Sequence, residues 1–203
     1  MDTADAPSTQ RVTRRPGEEL NPDCIVPTYR SGRKTLIVSG SIAHGRKGPL
    51  VWVKPAPLDP ESKGKRWGGG MTGEDYVDQV LLGPPVQFYR SAVKERELEM
   101  LLVEDGSGPH RRKSTEEALK ALGIRSLAHP PNLPDLNPIE PVWRTVKERI
   151  HRIPWSRNSE ERLWEATQRV WKALTVKDIT KHTSKMDARV QAVRDNKGGT
   201  TRF

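Results

Sequence analysis

Two short runs rich in β-branched and aliphatic residues, 35–42 and 50–53, flank the turn-forming stretch His44-Gly45-Arg46-Lys47-Gly48-Pro49. That pattern predicts a β-hairpin. Further on, Thr72 followed by Asp75 has the form of a helix N-cap with an acidic first turn. Tyr76, Val77, Val80 and Leu81 then share one helical face until Gly83-Pro84-Pro85 breaks the pattern, and a second helix is expected over 86–97. The apolar run 98–103 ends in Glu104-Asp105-Gly106-Ser107-Gly108-Pro109, which predicts a strand delivering Asp105 to its C-terminal edge. A helix over 115–122, closed by Gly123, leads to a brief strand at 124–127, and such a strand-helix-strand unit is the usual source of a parallel pair. Helices are expected at 138–150 and 159–174, with one or two more between 176 and 196. Leu163, Ala166, Val170 and Leu174 form an apolar stripe with Trp164 and Trp171 beside it, read as core rather than as a base-stacking platform.

The 203 residues leave room for one domain with tails, and hydrophobic and charged fractions of 33% and 30% imply a modest core. Residues 1–34 lack apolar periodicity and read as an extended, poorly ordered arm. Residues 35–150 hold the α/β pattern, and 151–203 form a basic helical extension of the same domain. The net charge of +9 is concentrated there: from position 141 onward nine Arg and six Lys face seven acidic residues. An excess so placed suggests a polyanion, most commonly nucleic acid, although solvated helix faces would look the same. Cys24, the only cysteine, permits neither an intramolecular disulfide nor a thiolate zinc cluster, which suits a reducing compartment. The chain shows no secretory signal and no apolar run of about 18 residues, so an intracellular, soluble protein is expected. Gly68-Gly69-Gly70-Met71-Thr72-Gly73 fits G-x-G-x-x-G but follows no strand, and Gly40 to Gly45 lacks the Lys and hydroxyl residue of a phosphate loop. The five histidines lack ligand spacing and read as surface residues.

The segment Pro134-Asp135-Leu136-Asn137-Pro138-Ile139-Glu140 is the most informative. Asn137 suits an N-cap, Pro138 the first helical position and Glu140 the third, so the Glu140 carboxylate would sit at the positive end of a helix dipole. Glu140 as a mere cap, and Asp105 as a turn residue before Gly, remain the plain alternatives. Together, an Asp at a strand edge and a Glu at a helix start could offer hard oxygen donors to Mg²⁺ or Mn²⁺.

This heptapeptide, with Trp143 and Lys147 after it, resembles the signature around the third catalytic acid of mariner-superfamily transposases, and Glu104-Asp105-Gly106-Ser107-Gly108-Pro109-His110 resembles the segment holding the second. The 34 residues between Asp105 and Glu140 match the family's separation. The similarity extends from Arg14-Arg15-Pro16-Gly17 through the hairpin to Met186-Asp187-Ala188-Arg189 and Lys197-Gly198-Gly199-Thr200-Thr201. It implies a ribonuclease H-like mixed sheet flanked by helices, Asp105 and Glu140 as catalytic metal ligands, and two Mg²⁺ or Mn²⁺ ions. One ion would activate a water or 3′ hydroxyl and the other would stabilise the leaving oxygen. DNA as partner, a possible homodimer and a nuclear site of action are further implications. The family's first acid lies upstream of the Arg-Arg-Pro-Gly segment, at the end of the fold's first strand. Here only Asp2 or Asp5 is available, neither after an apolar run, and Ser39 stands where relatives usually have Trp. The expectation is an N-terminally truncated domain, without its first strand and without the helix-turn-helix that reads transposon ends. Alone it would be inactive, or a DNA-binding remnant.

Overall fold

The computed structural model describes residues 36–57, 70–127, 129–130, 133–199 and 201. The expectations for the arm at 1–34, for Asp2, Asp5 and Arg14-Arg15-Pro16-Gly17, and for Gly68 and Gly69 lie outside those residues.

Strand β1 (Ile37–Ala43) pairs antiparallel with β2 (Arg46–Val53). The connection is shorter than the composition of 44–49 suggested. His44 and Gly45 alone make the turn, with Gly45 at φ +72°, a conformation open to glycine. Pro49 lies inside β2, where a register shift between Gly40 and Ile42 puts one extra residue on the β2 side. A residue without an N–H is tolerated at such a bulge.

The hairpin's two faces feed different cores. Leu36, Ile42 and Leu50 pack on a cluster built by Val142, Val146 and Ile150 of α4 (Glu140–His151), by Leu163, Val170 and Trp171 of α5 (Glu160–Ala173), and by Ile179 of α6 (Val176–Thr183). Ile37, Val51 and Val53 join the other cluster, with Tyr76, Val80, Leu81, Val86, Leu119 and Ile124. Residues of opposite parity thus enter opposite cores, as the pleat requires. Helices cover both faces of the strands, an α/β arrangement. Trp171 is buried, as its place beside the stripe predicted, and its indole Nε1 donates to the Gly48 carbonyl at 3.1 Å. Lys47 closes the end of α5, donating to the carbonyls of Trp171 (2.8 Å) and Lys172 (3.0 Å) and to that of Leu174. A cation there satisfies carbonyls that the helix leaves open.

Thr72 caps α1 (Gly73–Tyr76) in a full capping box with Asp75, and the helix widens to a π turn over Val77–Leu81. Helix α2 (Pro84–Arg96) begins at the prolines expected to precede it, since proline fits the first helical turn. Strand β3 (Leu102–Val103) and β4 (Ser126–Leu127) pair parallel around α3 (Lys113–Ala121), as expected, but each has only two residues. Among the described residues the mixed sheet therefore consists of two two-stranded pieces, one antiparallel and one parallel. Helix α7 (Met186–Asp195) completes the C-terminal group.

Candidate active site

Asp105 follows β3 by two residues, in a turn made by Gly106 at φ +66°. The Ser107 amide donates to its Oδ1 at 2.9 Å, and Nδ1 of His110 lies 2.8 Å from the same oxygen. Both contacts fall on Oδ1. The carboxyl is held well below the usual carboxylate range, chiefly by the His110 hydrogen bond and then by Ser107, against an opposing effect of partial burial. His110 rises from a short 3₁₀ turn (Pro109–Arg111) and its ring packs on Tyr76 with centroids 4.4 Å apart. The Tyr76 hydroxyl donates to Glu104, whose other oxygen meets Ser126 Oγ at 3.4 Å. Burial, and then the Glu104 charge, push the Tyr76 phenol above its ordinary value, so it stays a neutral donor. Glu104 and Asp105 both line the cavity, but Glu104 is engaged by Tyr76 and Ser126 through its two oxygens.

The expectation for Asn137, Pro138 and Glu140 needs correcting. Residues 134–136 form a 3₁₀ turn, Asn137 Oδ1 accepts from the Ile139 amide at 3.3 Å, and α4 starts at Glu140 itself, with no side-chain cap. Regular α4 begins at Glu140, which is its first residue rather than its third, and the buried Asn137 accepts from the Ile139 amide in the turn just before it. The carboxylate still belongs to the first turn of α4 and forms no hydrogen bond or ion pair with the described residues. The loop before it is anchored from far along the chain: Asp135 Oδ2 accepts from the Thr201 amide at 3.0 Å and its hydroxyl at 2.6 Å, and Arg189 donates to the Asp135 carbonyl at 2.9 Å.

Asp105 and Glu140 line one cavity of 550 Å³, with His110, Asn137 and Trp143 also on its wall. Their residues come from separate elements, the end of β3 and the start of α4, and only folding unites them. No cluster of three or more His, Cys, Asp or Glu residues that could hold a metal ion occurs among the described residues. A two-carboxylate site with one open Asp oxygen and one unengaged Glu still suits Mg²⁺, which commonly keeps its waters and takes one or two carboxylates. His110 is the residue that the sequence reading assigned to the surface. Its signal was present, five positions after Asp105 within the same motif.

Residues 85–178 match the family described as DDE superfamily endonuclease, a span containing both Asp105 and Glu140. Over 165 residues the chain is 29% identical to the Tcb2 transposase of Caenorhabditis briggsae, covering 80% of this chain and 57% of the relative. The chain is therefore similar to mariner-superfamily DDE transposases. The Tc1 transposase of Caenorhabditis elegans is 24% identical over 198 residues, 94% of this chain and 63% of the relative. The chain thus spans about three fifths of the length of the curated relatives it matches. In fold it resembles the Mos1 transposase catalytic domain, solved with raltegravir and Mg, at a TM-score of 0.66 and 15% identity, covering 82% of this chain and 77% of that one. The ribonuclease H-like class expected from the sequence is therefore the fold observed. The DDE match also includes α4 and α5, whose facing side chains make the main core.

Proposed function

We propose that this transposase-derived endonuclease domain binds a divalent cation, Mg²⁺ or Mn²⁺, through Asp105 and Glu140, for phosphodiester cleavage and strand transfer on DNA. The observation that carries the reading is that these two acids line one cavity, with one Asp105 oxygen and the Glu140 carboxylate making no contact among the described residues. An ion bound there would supply Lewis-acid polarisation of a phosphoryl oxygen. The chain's part is to hold Asp105 ionised and oriented through His110 and Ser107, and to present Glu140 at the positive end of α4. Support for DNA comes from the basic C-terminal region, from relatives named transposases, and from the structurally similar Mos1 transposase, solved as a paired-end complex with its left transposon end. A homodimer and a nuclear location belong to the same proposal.

The test is direct. Titration of the chain with Mn²⁺, followed by electron paramagnetic resonance, should show a bound ion, and Asp105→Ala and Glu140→Gln should each weaken binding at least tenfold. With Asp105 and Glu140 as the acidic pair among the described residues, the chain by itself is expected not to nick supercoiled plasmid in Mg²⁺. Nicking that Glu140→Gln abolishes would overturn that expectation, and unchanged Mn²⁺ binding in both variants would overturn the site. A binding-only remnant is the second reading, favoured by exposed cations on α4 to α7 that serve no core.

A further inference from the structure

The loop that ends at Glu140 is held from 54 and 66 residues further along the chain. The loop is itself one hydrogen-bonded unit. The Leu136 amide donates to the Leu133 carbonyl at 3.1 Å, the Asn137 amide to Pro134 at 2.9 Å and the Glu140 amide to Asn137 at 3.2 Å. Helix α4 has no side-chain cap, so the position of its first residue is set through this loop. Asn137, Pro138, Ile139 and Glu140 stand on the cavity wall, whereas Asp135 does not.

The grip on Asp135 comes from α7 and the segment after it. Arg189, a buried residue of α7, donates from Nη1 to the Asp135 carbonyl at 2.9 Å. Beyond α7 the chain reverses, with Lys197 at φ +49°. The amides of Lys197 and Gly198 donate to the carbonyls of Arg194 (3.0 Å) and Val193 (2.8 Å), the pair of bonds that ends a helix on a left-handed residue. That reversal brings Thr201 back to the loop, where its amide and its hydroxyl both donate to Asp135 Oδ2, at 3.0 and 2.6 Å. Hydrogen bonds to a carboxylate are about twice as strong as those between neutral groups. Neither Thr201 nor Arg189 lines the cavity.

We propose that Thr201 is a positioning residue for Glu140: by gripping Asp135 it fixes the loop at whose end that carboxylate stands. The inference rests on the reading of Glu140 as a metal ligand. A ligating side chain has to be held to within about 0.5 Å of its productive place, which requires support from the groups behind it. Loss of such an outer partner commonly lowers metal affinity by about 10- to 100-fold. Here the support acts through the backbone of one short turn, from a carboxylate outside the cavity to one on its wall.

In the full chain, Thr201→Val keeps the shape of the side chain and loses its hydroxyl donor, whereas Thr201→Ser keeps the donor. Titration with Mn²⁺, followed by electron paramagnetic resonance, should give about tenfold weaker binding for Thr201→Val and wild-type affinity for Thr201→Ser. Amide hydrogen exchange of the metal-free chain, read by nuclear magnetic resonance, is the second measurement. The Glu140 and Trp143 amides, bonded to the Asn137 and Ile139 carbonyls, should exchange about tenfold faster in Thr201→Val while the amides of α5 keep their rates. Equal Mn²⁺ affinity in Thr201→Val and wild type, or a loss in Thr201→Ser as large as in Thr201→Val, would overturn the proposal. So would faster exchange spread evenly over α4 and α5, the mark of a merely structural bond. A chain that binds no Mn²⁺ yet shows the local acceleration loses the metal reading and keeps the clamp. One that binds Mn²⁺ equally with and without the Thr201 hydroxyl keeps the metal site and loses the clamp.

Discussion

Asp105 takes its protein contacts on one oxygen, and that asymmetry gives His110 its role. A ligating carboxylate is usually oriented by a hydrogen bond from behind, and loss of such a bond lowers metal affinity by about 10- to 100-fold. His110→Ala should therefore weaken Mn²⁺ binding by roughly that factor while leaving the fold intact, since the ring packs only at one side of Tyr76. Titration of wild type and variant measures it, and equal affinities would make the His110 contact incidental. The two acids were legible in the sequence because each stood in a segment with its own local logic, a strand running into a Gly turn and a Pro-preceded helix start. His110 was not, because a histidine without a second ligand at helical or loop spacing looks like any surface histidine. Its importance arises from a 3₁₀ turn that folds it back onto Asp105.

Capping decides several element boundaries. Thr175 and Asp178 form a full capping box at the start of α6, as Thr72 and Asp75 do for α1, and of the two only the Thr72 box was read from the sequence. Where it misled, at Asn137, the side chain had a competing use inside the loop. The strands show the same limit. Residues 98–101 and 124–125 carry the composition of strands, but pairing occurs only where two segments meet, over two residues each. Removing the cap hydroxyl with Thr175→Ala should destabilise the protein by about 1 kcal/mol. The Asp178 carboxyl is held below its ordinary value by the Thr175 amide, then by its hydroxyl, against an opposing effect of burial. A carboxyl with a depressed folded-state pKa stabilises fully above the unfolded value, near 4, and loses that contribution as pH falls through the folded value. The melting temperature of Asp178→Asn should thus lie below wild type at pH 7, with the gap narrowing as pH falls below about 4. A gap of constant size across that range would mean that the carboxylate charge adds nothing to the cap.

Charge is the property of the whole molecule that the sequence exposes most directly and the fold organises least visibly. Positions 177, 181 and 185 carry lysines at helical spacing, all exposed, while Ile179 between them is fully buried. Residues four apart lie on one side of a helix, so α6 turns its apolar side to the core and Lys177 and Lys181 outward, and Lys185 follows at the start of α7. The His182 imidazole on the same helix is pushed below its ordinary value, first by burial and then by Arg189, Lys181 and Lys185. If the row meets DNA, binding should be indifferent to sequence and should weaken as salt rises. Each phosphate neutralised adds about 0.9 to the slope of log affinity against log salt. Replacing all three lysines by alanine should lower that slope by up to about 2.7, and Glu140→Gln should leave it unchanged, because the acid is not part of the cationic row. Anisotropy titrations on a labelled 25-base-pair duplex between 50 and 200 mM salt would measure both slopes. An unchanged slope in the triple variant would remove α6 from the DNA surface and return its lysines to ordinary solvation.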